Sequence, residues 1–164
     1  MLQSWDMSFK ETKDGSYVCG QVWGVKGSEY YLLDQVRERL DFVDTINRVR
    51  MMTNKWPGAT AKLIEDKANG PAVISALRKE LHGLIEIPPQ GSKEARLSAV
   101  SPLIEAGNVY IPSPERVKWV NDFVEECSAF PGAPNDDQVD AMSQGLFYLS
   151  KRFTGQVESS TFIG

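Results

Sequence analysis

A chain of 164 residues fits one compact domain with a sizeable core, and its 41% hydrophobic and 24% charged residues are typical of a globular protein. No apolar run approaches the ~20 residues of a membrane span, so no membrane partner is expected. Two cysteines are too few for a disulfide framework or a zinc site, and the net charge of −4 argues only weakly against a nucleic-acid partner, since bound metal would neutralise several acids.

The first third of the chain predicts three consecutive antiparallel strands. Alternating apolar and polar residues and turn signals place these strands at residues 1–9, 17–25 and 29–36. Lys13-Asp14-Gly15-Ser16 has Asp-Gly at its centre, which favours a hairpin turn between the first two. In the first strand Asp6 alternates with Trp5 and Met7, so its side chain should point away from the face that carries the large apolar residues.

The remaining two thirds alternate between helices and short strands. Helical apolar spacing, with Gly or Pro at the ends, predicts helices at 41–55, 70–81, 92–106, 114–126 and from about Asp136 onward. Short apolar runs predict strands at 61–65, 84–87 and 108–111. Asn135 and Gln138 have capping-box spacing at the last helix. The pattern predicts an α/β domain over residues 1–152, a mixed sheet with helices packed on it, and a flexible tail at 153–164.

Acidic residues stand where apolar stretches end or helices begin. They are Asp6, the pair Glu65-Asp66, and the acids Asp136, Asp137 and Asp140. Carboxylates placed in this way can converge on Mg²⁺, and two such ions roughly 4 Å apart can cleave a phosphodiester. The alternative is that these acids are solvated loop residues or helix-start acids that stabilise the helix dipole. Strand alternation sends Glu65 and Asp66 to opposite faces, so only one of the two should join a shared site.

Other catalytic schemes have little support. His82 is the only histidine, which disfavours a Ser-His or Cys-His nucleophile, and there is no phosphate-binding GxxxxGK[ST] loop for nucleotide hydrolysis. Lys93 and Arg96 lie at a loop-to-helix junction. They could hold a phosphodiester backbone, or they could simply solvate the start of a helix.

Four segments of the chain resemble one known family. The stretches SWDMSF, LIEDKANGPAV, GSKEARLSAVSPLIEAGNVYIP and NDDQVDAMSQ look like the C-terminal nuclease domain of phage terminase large subunits, over roughly residues 1–150. The resemblance implies an RNase H-like (retroviral-integrase-like) fold with helices on both faces of a mixed sheet. It also implies an endonuclease that uses two Mg²⁺ or Mn²⁺ ions to cut concatemeric double-stranded viral DNA during packaging into the procapsid.

The resemblance also implies residue roles. It places catalytic and metal-binding carboxylates at Asp6, at Glu65 or Asp66, and at Asp140, with Asp137 as a neighbouring acid that assists metal binding. It leaves open which of Glu65 and Asp66 is the second ligand. Lys93 and Arg96 match the basic stretch of the family and are expected to face DNA.

The family's large subunit carries an ATPase motor before the nuclease. No Walker-type motif is present here, so we expect an isolated nuclease domain whose motor lies outside this chain. The implied partners are double-stranded DNA, that ATPase domain, the small terminase subunit and the portal, in the cytoplasm of an infected bacterium. Two alternatives stay open: another RNase H-like nuclease, such as a Holliday-junction resolvase or a transposase-type enzyme, and a non-catalytic interaction domain.

Overall fold

The computed structural model describes residues 1–7, 17–67, 69–89 and 91–159, which form a mixed sheet with helices on both faces. The strands are β1 (Leu2–Met7), β2 (Val18–Lys26), β3 (Glu29–Glu38), β4 (Ala61–Glu65), β5 (Leu84–Ile87) and β6 (Val109–Tyr110). The helices are α1 (Phe42–Lys55), α2 (Gly70–Leu77), α3 (Lys93–Glu105), α4 (Trp119–Ala129) and α5 (Asp137–Ser159). No helix in these ranges is long and apolar enough to cross a membrane.

The sheet has the strand order β5-β4-β1-β2-β3-β6. Strands β1, β2 and β3 pair antiparallel, as the sequence predicts, whereas β4 pairs parallel with β1 and β5. The predicted α/β fold class is therefore confirmed. The turn predicted at Lys13-Asp14-Gly15-Ser16, and the last two residues of the strand predicted at 1–9, lie outside the described residues.

Strand β1 separates two hydrophobic cores. Trp5 and Met7 pack on one face of the sheet with apolar residues of α1 and α2, namely Ile46, Val49, Met52, Val73, Ile74 and Leu77. Leu2 packs on the other face with apolar residues of α3, α4 and α5, namely Val100, Phe123, Met142, Leu146 and Leu149. Full burial of such side chains contributes about 1.5–3 kcal/mol each. Because side chains alternate along a strand, Asp6 lies on the same face as α3 and α5.

Helix α5 lies directly against β1 and β2. A Cβ atom built on Gly145 would be only 2.9 Å from Trp23 Cδ1 and 3.2 Å from Ser4 Cβ, so a larger residue here would push the helix away. From the preceding residue, Gln144 Nε2 donates a 2.9 Å hydrogen bond to Ser4 Oγ. These contacts fix the first turns of α5 beside the carboxyl end of β1, where Asp6 lies.

Three helices differ in extent from the sequence prediction. Helix α2 ends at Leu77 and not at 81. Helix α4 spans Trp119–Ala129 and not 114–126, because residues 114–116 form a turn and the buried apolar face begins only at Val120. Helix α5 continues to Ser159, so most of the segment predicted as an irregular tail is helical, since extending an existing helix costs little.

Candidate active site

The carboxyl ends of β1 and β4 bring two acids together. These strands pair in parallel, with Ser4 opposite Leu63 and Trp5 opposite Ile64, so the next pair in register is Asp6 and Glu65. Leu63, two residues before Glu65, belongs to the core under α3 and α5. Strand alternation therefore places both carboxylates on the face that these two helices cover.

Helix α5 adds the third acid from its first turn. Asp140 Oδ1 accepts a 3.1 Å hydrogen bond from Arg96 Nη2, while Arg96 Nη1 donates to Glu65. Arg96 thus bridges carboxylates from β4 and α5. The structure brings Asp6, Glu65 and Asp140 to one end of the sheet, although 134 positions separate the first from the last.

Lys93 supplies a second cation to this cluster. Its Nζ atom lies 2.6 Å from Asp136 Oδ1 and 2.6 Å from Asp140 Oδ2. Lys93 and Arg96 are three residues apart on α3, hence on one face of the helix. Both basic residues that the sequence assigns to DNA are therefore bonded to acids of the cluster, and their contact with DNA stays a prediction.

Burial and mutual repulsion shift the proton affinities of the acids. Burial raises the pKa of Asp6 to about 7, and the negative charges of Asp140, Asp137 and Glu65 add to the shift, whereas Lys93 opposes it. Burial also raises the pKa of Asp140, against the effects of Lys93 and Arg96. A cation bound beside these acids would lower their pKa again, because it favours the ionised carboxylates over the protonated ones.

The raised pKa of Asp6 predicts how stability depends on pH. The folded protein keeps the Asp6 proton up to about pH 7, whereas the unfolded chain loses it near 3.8. Because the folded state binds more protons in this window, the free energy of unfolding should fall as the pH rises from about 4 to 7. Urea unfolding at pH 5, 6 and 7 measures this. The free energy of unfolding of Asp6→Asn should fall less steeply with pH than that of the native protein, whereas Asp66→Asn, at an exposed position, should keep the native pH dependence. An unchanged slope in Asp6→Asn would contradict this.

The structure separates the neighbouring acids Glu65 and Asp66. Glu65 is the last residue of β4, half-buried and paired with Arg96, whereas Asp66 is exposed just beyond the strand. The backbone N–H of Asp66 donates to the carbonyl of Ile87, which fixes the chain direction at this point. Only Glu65 is thereby brought to the cluster.

Asp137 is buried close to the cluster but is engaged elsewhere. Arg37 donates from Nε and Nη2 to the two carboxylate oxygens of Asp137, at 2.8 and 3.1 Å. Such a bidentate pair fixes the side chain strongly. The predicted metal contact of Asp137 would therefore compete with Arg37.

The donor set of the cluster suits a hard divalent cation. It consists of carboxylate oxygens without histidine or cysteine, the ligands that Mg²⁺ and Mn²⁺ prefer. In the described part of the chain, however, no three His, Cys, Asp or Glu side chains already form a metal-holding group. Lys93 and Arg96 bond to oxygens of Glu65 and Asp140, so a metal bound by these acids would compete with both cations. The carboxylate donors suit a metal by their chemistry, and binding one would require these two side chains to turn away.

Sequence reasoning missed a buried polar network behind the cluster. Glu126 of α4 accepts hydrogen bonds from the backbone N–H groups of Gln138 and Val139 at 2.8 and 3.2 Å, so it caps α5 from another helix. Glu126 also lies 3.1 Å from Arg37 Nη2. One signal was present: Glu126 falls on the apolar stripe of α4 with Phe123, where a charged residue needs a partner.

The predicted capping box at the start of α5 is wrong. The Gln138 side chain does not turn back to Asn135 but is fully buried, accepting from Gln35 Nε2 at 2.8 Å and donating to Glu126 Oε2 at 2.7 Å. Because Glu126 already caps the helix, the glutamine is free to join the network. The start of α5, and with it Asp140, is thus fixed by groups from the sheet and from α4.

Comparisons with known proteins agree with this architecture. The family model described as the terminase RNaseH-like domain matches residues 3–149. No curated protein matches the chain. The large terminase nuclease from thermophilic phage G20c, solved with bound zinc, has a TM-score of 0.67 at 17% identity and covers 87% of this chain and 77% of its own.

Two further solved structures share the fold. The g2p (large terminase) nuclease domain from bacteriophage SPP1, with bound Mn, has a TM-score of 0.56 at 16% identity, covering 87% of this chain and 84% of its own. The Fowlpox virus resolvase, in complex with substrate Holliday junction DNA, has a TM-score of 0.58 at 11% identity, covering 92% and 99%. At these identities the likeness establishes the RNase H-like fold.

Proposed function

Because this chain belongs to the terminase RNaseH-like domain family, we propose that it is a divalent-metal-dependent endonuclease. Its substrate is concatemeric double-stranded viral DNA, which it cuts during genome packaging into the procapsid. The observation that carries the proposal is the convergence of three carboxylates, from β1, β4 and α5, at one end of the sheet. No protein nucleophile is needed.

Asp6, Glu65 and Asp140 hold the Mg²⁺ or Mn²⁺ ions, of which we propose two. Glu65 takes the position for which Asp66 was the alternative, because Asp66 is exposed and Glu65 is paired with Arg96. Asp137 acts indirectly, by anchoring Arg37 beside the first turn of α5. When bound, such ions lower the pKa of the attacking water and stabilise negative charge on the leaving 3′ oxygen.

Lys93 and Arg96 orient the substrate. Both now bond to carboxylates of the cluster. When the carboxylates turn to metal, these two cations become available to phosphate oxygens of the DNA backbone, and Arg96 can offer two parallel donors. Such contacts fix the register of the DNA without reading its sequence, so we expect cleavage to be only weakly sequence-specific.

Family membership also suggests the partners. We propose that the domain works in the cytoplasm of an infected bacterium beside an ATPase motor domain, with the small terminase subunit and the portal as further partners. In this arrangement the motor holds the substrate, so the isolated domain binds DNA weakly. A resolvase is the second candidate, because the fold of the Fowlpox virus enzyme covers 92% of this chain.

Cleavage of matched DNA substrates tests the proposal. A linear duplex and a four-way junction of the same arm sequences are incubated with Mg²⁺, with Mn²⁺ and with EDTA. We expect both metals to support cutting of the linear duplex, EDTA to stop it, and the junction to be cut no faster. Cutting confined to the junction would favour the resolvase. No cutting of either DNA, by a folded protein with both metals, would refute the nuclease proposal.

A further inference from the structure

A cavity of about 460 Å³ lies between the end of β5, α3 and α5, beside the carboxylate cluster. Its lining is mainly apolar and includes two basic side chains. The apolar lining comprises Ile87, Pro88, Ala95, Ala99 and Phe147, and the cations are Arg96 and Lys151. The role described so far for the carboxylates does not use this cavity.

One arginine connects the cavity to the cluster. Arg96 lines the cavity and also bonds to Glu65 and Asp140. Its Nε atom is buried and has no hydrogen-bond acceptor among the described residues. If the Arg96 side chain turned toward the cavity, a phosphate oxygen of a ligand could accept a hydrogen bond from this Nε–H group, which lacks an acceptor in the described part of the chain.

Helix α5 fixes the distance between the cavity and the carboxylate cluster, because its residues line both. Asp140, Gln144, Phe147 and Lys151 follow one another at spacings of four, three and four, so they form one stripe along the helix. With a rise of 1.5 Å per residue, Phe147 lies about 10 Å along the axis from Asp140. A ligand at Phe147 is thus a near neighbour of a phosphodiester held at the carboxylates.

The lining fits a nucleobase with its phosphates. Phe147 offers an aromatic ring for stacking. Lys151 Nζ lies over one face of that ring, 4.2 Å from its centre, so a base stacks on this face only when the lysine side chain moves aside toward a phosphate. Proteins bind single-stranded nucleic acid with aromatic side chains that stack on the bases and with nearby basic residues that contact the phosphates, since every base has a flat face to stack. A base inside a duplex is stacked on both sides and cannot enter such a cavity, whereas an unpaired base can.

We propose that this cavity binds one unpaired nucleotide of the DNA substrate, next to the phosphodiester that is cleaved at the carboxylate cluster. The proposal rests on the proposed nuclease function for the identity of the ligand. Phe147 stacks on the base, while Arg96 and Lys151 neutralise the flanking phosphates. The preferred DNA therefore carries a bulge or a frayed end beside the cleavage site.

Equilibrium binding of two matched DNAs tests this. One is a fully paired duplex, and the other is the same duplex with a single extra unpaired 2-aminopurine nucleotide. Ca²⁺ replaces Mg²⁺ to limit cleavage. We expect the native protein to bind the bulged duplex about tenfold more tightly or better, the size expected for one stacked base, and to change the 2-aminopurine fluorescence.

Two tryptophan variants locate the effect. Ala99 is exposed on α3 and lines the cavity, so Ala99→Trp should fill it and abolish the preference for the bulged duplex. Ala76, an equally exposed helical alanine on the opposite face of the sheet, gives the control Ala76→Trp, which should keep both the preference and the cleavage rate. Lys151→Met, at an exposed position, should weaken the preference without affecting folding.

Equal affinity of the native protein for the two DNAs would overturn the proposal, and so would a preference that survives in Ala99→Trp. Metal-dependent cutting of the paired duplex, measured separately, keeps the two proposals apart. If the duplex is cut but the preference is absent, only the cavity assignment fails. If the preference is present and follows Ala99 but neither DNA is cut, the cavity assignment stands and the nuclease proposal fails.

Discussion

Replacing Asp140 by Asn should reduce the rate of DNA cleavage by on the order of 10³-fold at saturating Mg²⁺. Asp140 is the acid that meets both Lys93 and Arg96, and its charge also raises the pKa of Asp6. The amide keeps the shape of the side chain but removes the charge that holds a cation. Metal catalysis supplies several kcal/mol, and each 1.36 kcal/mol corresponds to a factor of about ten in rate.

A neighbouring acid provides the control. Asp136 also bonds to Lys93, but it lies before α5 and is more exposed, so Asp136→Asn should cut within about threefold of the native rate. Asp6→Asn should match Asp140→Asn, because both acids belong to the proposed metal-binding set. If folded Asp140→Asn retained more than a tenth of the activity, or Asp136→Asn lost as much, the assignment of Asp140 would be wrong.

Glu126→Ala should lower the free energy of unfolding by about 3 kcal/mol, through two losses. The first is the ion pair between Glu126 and Arg37, whose loss leaves Arg37 with its ion pair to Asp137 and its contact with the Tyr17 ring. The second is the cap on α5, where the N–H groups of Gln138 and Val139 lose their acceptor. Urea unfolding measures the change. Since α5 carries Asp140, cleavage by the folded fraction should fall as well.

The adjacent residue offers a matched control for this variant. Glu125 is exposed on α4, so Glu125→Ala should change stability by no more than about 0.5 kcal/mol. A loss below about 1 kcal/mol in Glu126→Ala would mean that neither the cap nor the ion pair is important to the fold. The stability of Glu126→Gln should lie between that of the native protein and that of Glu126→Ala, because the amide oxygen can still accept hydrogen bonds from the backbone N–H groups at the start of α5.

Much of the sheet could be predicted from the sequence because its signals are local. Alternation in β1, and apolar runs ending at Glu65 and Ile87, define strands without knowledge of their neighbours. The start of α4 was missed because Pro114 favours a helix start locally, whereas the buried face of the helix begins only at Val120 and continues with Phe123. The extent of α5 likewise depends on propagation from a buried first half.

The candidate site was predictable in part. The positions of Asp6 and Asp140 at element ends indicated their convergence, but choosing between Glu65 and Asp66 required the pairing of β1 with β4, which is a tertiary fact. The bonds of Lys93 and Arg96 to these acids join residues more than 30 positions apart. Glu126 on the apolar stripe of α4 signalled that a buried partner exists, but not that the partners are Arg37 and Gln138, which come from two other elements.

We propose that Asp6, Glu65 and Asp140 together bind the catalytic metal. A crystal structure of the protein soaked in Mn²⁺, with anomalous diffraction to locate the metal, tests it most directly. We predict Mn²⁺ coordinated by carboxylate oxygens of these three residues, with Lys93 and Arg96 turned away and Asp66 taking no part. Mn²⁺ bound at Asp66 instead, or absent from the cluster while both cations keep their bonds to the acids, would contradict the account.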